Sequence, residues 1–196
     1  MRAGELVVLP TDTVYGVGAD AFNPAAVHAM LSAKGRGPDV PVGVLVGSTS
    51  AIDDLVVSVP VWARLIIGAF WPGDVSIVLR HVPALSWDLG DVRGTVMLRM
   101  PRDGVALELL REAGPMAVSS ANRSGNPPAA DARAARRQLG DAVAVYLDGG
   151  SCGDPVPSTI VDLTRERPIA LREGAVSLAA VADVLGIDVR IGQRAR

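Results

Sequence analysis

Glycine and proline interrupt this chain so often that it can contain only short helices and strands. The sequence of 196 residues contains 21 Gly and 14 Pro, and many of its apolar runs end at one of them. The aliphatic run at 6–9 stops at Pro10 and is typical of a buried strand. Asn23 and Pro24 predict a helix start, because Asn caps a first turn and Pro suits the first helical position, and Gly35 is a suitable end.

The same pattern predicts an α/β fold. It predicts further strands at 42–46, 75–79, 95–100, 116–118, 142–147, 158–163 and 169–171. It also predicts one helix that starts at Pro60 and three more helices at 105–113, 130–139 and 178–185. Strands and helices mix without strict alternation, which favours an open, twisted, mixed β-sheet flanked by helices. Aromatic residues are only 4% of the chain, so the core is expected to consist of Val, Leu, Ile and Ala.

The length and the pattern predict one domain over residues 1–187. The charged segment 188–196 lacks an apolar pattern and is predicted to be a disordered tail.

Composition excludes several classes of protein. The formal net charge is -2 at pH 7, which argues against a generally basic nucleic-acid binder. No apolar run approaches the length of about 18 residues that a membrane helix needs, and the N-terminus lacks the apolar stretch of a signal peptide. The single cysteine, Cys152, excludes an internal disulfide and a multi-cysteine zinc site. A cytoplasmic location is therefore predicted.

Two polar clusters directly follow predicted strands, where open α/β sheets place their ligand sites. Thr11, Asp12 and Thr13 form the first; they could bind a small polar ligand, but a turn capped by their own side chains is the favoured interpretation. The second cluster is the segment 119–125, SSANRSG, whose hydroxyls, amide and backbone N–H groups suit an anion or a nucleotide. A nucleophilic serine is not indicated, because nothing ties either histidine to this segment.

Lys34 is the only lysine among 19 basic residues. The ammonium group of Lys34 and the planar guanidinium group of Arg36 are two residues apart, and such a pair suits phosphate oxygens. The alternative is a solvated helix C-terminus, where cations are favoured in any case.

Two further arginines are candidate ligand-binding residues. Arg99 lies on a predicted aliphatic strand, and a buried Arg needs an anionic partner. That partner is either a ligand carboxylate or an internal acid such as Asp12. Ser158 and Arg172 bound two short strands and are expected to meet at one cleft, although Arg172 could equally form a surface ion pair.

Seven stretches, taken in order, resemble the YrdC-like family of threonylcarbamoyl-AMP synthases. They are PTDTVYGVGADAF, AKGRGPDVPVGVLV, FWPGDVSIVL, GTVMLRMP, GPMAVSSANRSG, STIVDLT and ALREG, and they span residues 9 to about 174. The resemblance implies the family's open twisted sheet and a nucleotidyltransferase that converts L-threonine, bicarbonate and ATP into threonylcarbamoyl-AMP and pyrophosphate. It also implies Mg²⁺ bound through ATP, with no metal site of the protein's own.

The resemblance further implies roles for individual residues. Those implied for L-threonine are Thr13, Arg99, Ser120 and Ser158, with Arg99 on the carboxylate. Those implied for ATP are Lys34, Arg36, Thr95, Asn122 and Arg172, and the charges of Lys34 and Arg36 would act in catalysis. Lys34→Ala is therefore expected to lose most activity while the fold survives.

Three positions depart from the family pattern. Leu45 stands where several members have His, Ala130 where a Thr helps to hold ATP, and Val40 where Asn is common. Family members also usually carry a helix-forming segment before the first strand, so the start of this chain is expected to be short.

The product of the implied reaction feeds N6-threonylcarbamoylation of a tRNA adenosine. A downstream threonylcarbamoyl-transferase complex is therefore an expected partner, whereas tRNA contact would be indirect and no membrane is expected. The main alternative is a noncatalytic module that binds double-stranded RNA or tRNA, and the net charge argues against it. A carbamoyl-transfer domain of hydrogenase maturation proteins is a second alternative, but those proteins carry cysteine-rich zinc motifs.

Overall fold

The computed structural model describes residues 4–152 and 156–192. Its strands are β1 (Val7–Leu9), β2 (Gly16–Asp20), β3 (Gly43–Leu45), β4 (Val75–Arg80), β5 (Thr95–Arg99), β6 (Met116–Ser120), β7 (Val145–Tyr146), β8 (Thr159–Asp162) and β9 (Ile169–Arg172). Its α-helices are α1 (Pro24–Ala33), α2 (Val61–Phe70), α3 (Gly104–Ala113), α4 (Ala132–Leu139) and α5 (Leu178–Leu185). Short 3₁₀ turns cover Ser50–Ile52 and Gly140–Ala142.

The strands form one sheet in the order β7-β1-β2-β6-β3-β5-β4-β8-β9. The pairs β1–β7, β3–β5 and β4–β8 are parallel, and the other neighbours are antiparallel. The predicted mixed α/β sheet is therefore confirmed. Since β2, β6, β3 and β5 are neighbours, segments that are far apart in the chain meet in the middle of the sheet.

Strand β2 is the element that the sequence analysis missed. Its sequence, GVGAD, contains two glycines, which are poor strand formers and which follow a stretch that reads as a turn. The glycines are needed because β2 lies close to β6: a Cβ on Gly16 would come within 2.7 Å of a methyl of Val118. Strand β2 can therefore be recognised only from its packing against β6, and a local sequence pattern does not show this packing.

The predicted helix signals are confirmed for α1. The side chain of Asn23 accepts a hydrogen bond from the backbone N–H of Ala26, and Gly35 after the helix has φ +68°. Asp131 caps α4 in the same way, so this helix starts at Ala132 rather than at residue 130.

The core is aliphatic, as expected. The main cluster of buried Val, Leu, Ile and Ala side chains lies between the sheet and helices α1, α2, α4 and α5. A smaller cluster joins Ala106 and Leu110 of α3 to Val7, Leu45 and Met116 of the sheet. In the part of the chain that the structure describes, no helix is long and apolar enough to cross a membrane.

Residues 188–192, which the sequence analysis assigned to a disordered tail, lie along β9. The backbone N–H of Ala170 donates to the carbonyl of Arg190 at 2.9 Å, and that of Gly192 donates to the carbonyl of Ala170 at 2.8 Å. Val189 is buried. The segment is ordered because the edge of β9 offers backbone partners to it and because Val189 packs into the core. Residues 193–196 lie outside the described residues.

Candidate functional site

A cavity of about 470 Å³ lies over the middle of the sheet, and we call it the central cavity. Its floor comes from the four neighbouring strands β2, β6, β3 and β5, and the segments around β8 and β9 close one side. The volume is in the range of small-molecule sites. Six of the residues predicted from the sequence line it: Thr13, Arg36, Arg99, Ser120, Ser158 and Arg172.

Arg99 is buried in the wall of the central cavity, with 7% of its surface exposed. Its Nε donates to the carbonyl of Gly73 at 2.8 Å, and its Nη1 donates to Oγ1 of Thr13 at 2.7 Å. Its Nη2 contacts Oδ1 of Asp12 at 2.6 Å and Oδ1 of Asp74 at 3.4 Å. Of the two partners that the sequence left open, internal acids are therefore present, and the guanidinium still reaches the cavity.

The two aspartates have pKa values that are shifted in opposite directions. Burial raises the pKa of Asp74 to about 6, with help from the hydrogen bond and the negative charge of Asp12. For Asp12, burial also favours the neutral form, but the hydrogen bond with Asp74 and the charge of Arg99 together hold its pKa below the usual value. Asp12 was considered from the sequence, whereas Asp74 was missed because only its packing beside Arg99 distinguishes it from other surface acids.

The turn between β1 and β2 combines both interpretations that the sequence suggested. Oγ1 of Thr11 donates to the carbonyl of Val14 at 2.6 Å and accepts from the backbone N–H of Thr13 at 3.2 Å, so the turn is capped by its own side chain. Oγ1 of Thr13 nevertheless accepts a hydrogen bond from Arg99, and Thr13 lines the central cavity.

Ser158 and Arg172 do meet at one cleft. Arg172 donates from Nε and Nη2 to the carbonyl of Ser158 at 2.9 and 2.8 Å. The hydroxyls of Ser76 and Ser158 are 2.9 Å apart. Ser76 was not predicted; it precedes no turn and shows no sequence signal. The surface ion pair that was left open for Arg172 is replaced by this contact with the backbone.

Lys34 lies behind the wall of the central cavity rather than on it. It is fully buried, and its Nζ donates to the carbonyls of Ser120 and Asn122, the latter at 2.7 Å. Its own carbonyl accepts from the backbone N–H of Ser124 at 2.8 Å. Burial, with the nearby charge of Arg36, lowers the pKa of Lys34 to about 7. Lys34 therefore holds the segment 119–125, and neither a phosphate-facing ammonium nor a solvated helix end describes it in this structure.

Two more predicted residues lie off the central cavity. Asn122 is buried, and its Nδ2 donates to the carbonyls of Arg123 and Asn126, both at 2.8 Å. Thr95 lines a neighbouring cavity of about 580 Å³, which shares Pro41 and Val92 with the central cavity.

Arg36 lies between the predicted residues on the wall of the central cavity and the segment 119–125. It lines the central cavity, and its Nη1 donates to Oγ of Ser119 at 3.4 Å. Of the three positions that depart from the family pattern, Leu45 is on the cavity wall, paired in register with Arg99, whereas Val40 and Ala130 are not. The carbonyl of Ala130 instead accepts from Sγ of Cys152 at 3.2 Å.

Comparison with known proteins gives consistent matches along the chain. A family model described as "Telomere recombination", for Sua5, YciO and YrdC proteins, matches residues 1–174. A Mycobacterium tuberculosis protein named "Putative threonylcarbamoyl-AMP synthase" is 63% identical over 188 residues, which cover 96% of this chain and 87% of that protein. The threonylcarbamoyl-AMP synthase of Bacillus subtilis is 38% identical over 95% of this chain.

The fold is also similar to solved structures. The crystal structure of Pyrococcus abyssi Sua5 complexed with L-threonine matches with a TM-score of 0.92 and 34% identity over 97% of this chain. The chain spans about half the length of the Bacillus and Pyrococcus relatives, 54% and 56% respectively, but most of the mycobacterial one.

Proposed function

The chain belongs to the Sua5, YciO and YrdC family, and from this premise we propose that it is a threonylcarbamoyl-AMP synthase. The proposed reaction joins L-threonine, bicarbonate and ATP into threonylcarbamoyl-AMP and pyrophosphate, which is a nucleotidyl transfer. The observation that carries the proposal is Arg99, a buried cation that reaches the central cavity, where the hydroxyls of Thr13, Ser120 and Ser158 also lie. Such a cation is suited to one small carboxylate.

L-Threonine is proposed to bind at Arg99. An arginine has five N–H groups, and the four contacts described above use one on Nε, two on Nη2 and one on Nη1. The second N–H of Nη1 remains for the threonine carboxylate, next to the hydroxyl of Thr13. The hydroxyls of Ser120 and Ser158 on the same wall are proposed to bind the amine and the hydroxyl of threonine.

ATP is proposed to bind against Arg36 and Arg172. Both arginines line the central cavity, and their planar guanidinium groups match phosphate oxygens. Lys34 and Asn122 would act on ATP through the segment 119–125, whose backbone Lys34 holds. Thr95 would be reached by the part of the nucleotide that extends into the neighbouring cavity.

The chemistry requires positioning and charge neutralisation rather than a covalent nucleophile. The ammonium group of threonine loses a proton, and the resulting amine gives a carbamate either with bicarbonate, which releases water, or with CO₂, which releases a second proton. A carbamate oxygen then attacks the α-phosphorus and expels pyrophosphate. Negative charge grows on the phosphates, where Arg36 and Arg172 can neutralise it. Neither histidine lines the cavity within the described residues, so the cavity wall offers no histidine to activate a serine.

Magnesium is proposed to enter with ATP. The residues that line the central cavity include hydroxyls but no carboxylate, and residues 4–152 and 156–192 contain no group of three or more His, Cys, Asp or Glu side chains that could hold a metal ion. The donors on the wall of the central cavity thus do not fit a protein-held Mg²⁺ site, which hard-oxygen carboxylate ligands usually build. No step of the reaction is assigned to the ion.

The catalytic proposal is preferred to a noncatalytic RNA-binding module. The names of the relatives support an enzyme, and a net charge of -2 does not favour binding dominated by phosphates. Contact with tRNA is proposed to be indirect, through a complex that consumes the product. The cytoplasmic location stays a prediction.

The proposed function is tested by pyrophosphate release from ATP. We expect release that requires both L-threonine and bicarbonate, and a loss of at least about tenfold in kcat/KM for threonine in Arg99→Met, because a buried charge-assisted hydrogen bond is lost. Arg133→Ala, which changes an exposed arginine on α4 outside both cavities, is the matched control. Release that does not depend on threonine would contradict the proposal.

A further inference from the structure

The charges around Arg99 do not balance if every group is ionised. Arg99 brings one positive charge, while Asp12 and Asp74 bring two negative charges at 2.6 and 3.4 Å from its Nη2. The side chains of Arg99 and Asp12 are only 8% and 13% exposed, so water screens these charges weakly. A partly buried group with a net negative charge would disfavour a third carboxylate at Arg99.

A proton on one of the aspartates removes this conflict. Oδ1 of Asp12 and Oδ1 of Asp74 contact the same Nη2 of Arg99, so the two carboxyl groups are neighbours, and two carboxyl groups can hydrogen-bond to each other only if one of them holds a proton. Oδ2 of Asp12 is buried and has no hydrogen-bond partner among the described residues, so a carboxylic acid beside it would supply a missing donor.

The surroundings place the proton on Asp74. Asp12 makes the shorter contact with Arg99, so its ionised form is stabilised. Burial and the neighbouring negative charge of Asp12 raise the pKa of Asp74 to about 6, and its longer contact with Arg99 is too weak to reverse this. Neither aspartate lines the central cavity; they contact Arg99 from behind.

We propose, on the basis of the proposed function, that Asp12 and Asp74 are a positioning pair for Arg99 in which Asp12 is ionised and Asp74 is protonated, and that this form binds the threonine carboxylate. Asp12 fixes the guanidinium, while protonated Asp74 completes its hydrogen bonds without adding a negative charge. Binding of a carboxylate to Arg99 then stabilises the proton on Asp74, so substrate binding and protonation are linked. The pair acts through Arg99 and touches no reacting atom.

The proposal makes the affinity for threonine depend on pH. The other charged groups that act on the pair or on Arg99 are Arg102 and Arg172, and arginine side chains stay protonated over this range. The threonine carboxylate is ionised throughout. A change in affinity between pH 5 and pH 8 that is lost in Asp74→Asn therefore belongs to Asp74.

Direct calorimetric binding of L-threonine to the full chain, without ATP, tests the proposal between pH 5 and pH 8. In the wild type, we expect the dissociation constant to rise above pH 6 by up to about tenfold per pH unit, the limit for one linked proton. In Asp74→Asn, which mimics the protonated form, we expect a nearly constant value and tighter binding than the wild type at pH 8. Asp54→Asn, which removes an exposed acid outside both cavities, is the control and should follow the wild type.

A second measurement separates this proposal from the proposed function. In protein labelled with ¹³C at the aspartate carboxyl groups, we expect one resonance to titrate near pH 6 without any ligand and to be missing in Asp74→Asn. If threonine binds but its affinity does not change with pH, or if Asp74→Asn keeps the slope of the wild type, the positioning pair is overturned. If threonine does not bind at any pH while the resonance titrates, the proposed function fails and the protonation of Asp74 stands. If no aspartate titrates between pH 5 and pH 7, the proposal fails whatever the threonine result.

Discussion

Lys34 shows how a single buried side chain can support a site that it does not line. Its ammonium group is fully buried and donates to two backbone carbonyls of the segment 119–125, which carries Ser120 on the cavity wall. A buried carbonyl that loses its donor costs about 1 to 3 kcal/mol. The lone lysine of the chain is thus explained by the loop that it holds.

We therefore expect Lys34→Met to lower the free energy of unfolding by about 1 to 3 kcal/mol, because the carbonyl of Asn122 loses its donor, whereas that of Ser120 still accepts from the backbone N–H of Asn122. Chemical denaturation at pH 7 measures this loss, and Arg133→Ala on the exposed face of α4 should stay within about 0.5 kcal/mol of the wild type. This expectation replaces the one from the sequence, in which loss of Lys34 left the fold intact. A variant as stable as the wild type would show that the two hydrogen bonds contribute nothing.

The pH dependence of stability identifies the same group independently. Burial lowers the pKa of Lys34 from 10.5 in the unfolded chain to about 7 in the folded one, so between these values the unfolded chain binds more protons. The contribution of Lys34 to the free energy of unfolding should rise with pH from about 7 toward 10.5. The difference between the wild type and Lys34→Met, measured at several pH values, should show this slope; a constant difference would contradict the shift.

Among the elements, the hairpin of β8 and β9 positions two cavity residues at once. Gly174, just after β9, packs so closely on the residues before β8 that a Cβ would come within 2.6 Å of the carbonyl carbon of Ser158. Its backbone N–H also donates to Oγ1 of Thr159 at 2.9 Å. Ser158 can therefore stay beside Arg172 only if residue 174 has no side chain.

Gly174→Ala should move the backbone at Ser158, lower the free energy of unfolding by about 1 to 3 kcal/mol and weaken threonine binding. The matched control is Gly68→Ala in the exposed part of α2, where an added Cβ meets nothing within 4 Å and where Ala should stabilise the helix by about 0.5 to 1 kcal/mol. Denaturation and calorimetry of both variants check this. Equal effects at the two positions would show that the close contact at Gly174 does not matter.

At the scale of the whole molecule, charge decides against a general nucleic-acid surface. The net charge of -2 predicts a dissociation constant for double-stranded RNA no tighter than about 10⁻⁶ M at physiological salt, the range of non-specific contacts. Filter binding or fluorescence anisotropy at two salt concentrations measures it. Nanomolar binding that weakens steeply with salt would revive the RNA-binding alternative.

The sequence predicts the parts of this molecule that depend on local chemistry. The ends of α1 follow from Asn23, Pro24 and Gly35, and the cavity residues of β5 and β6 follow from polar groups at the ends of aliphatic strands. The missed features all depend on contacts between distant segments. Strand β2 requires the close approach of β6, Lys34 is buried by the segment 119–125, and Asp74 matters only because Arg99 lies beside it.

The segment 188–192 along β9 has a consequence for how the protein behaves at high concentration. A sheet that ends in an open strand offers unpaired N–H and C=O groups to other chains and invites association. Here Arg190 and Gly192 engage the backbone of Ala170, while the opposite edge is formed by β7, which is only two residues long. Among the described residues, neither edge of the sheet therefore offers a long unpaired strand to which another molecule could add its own.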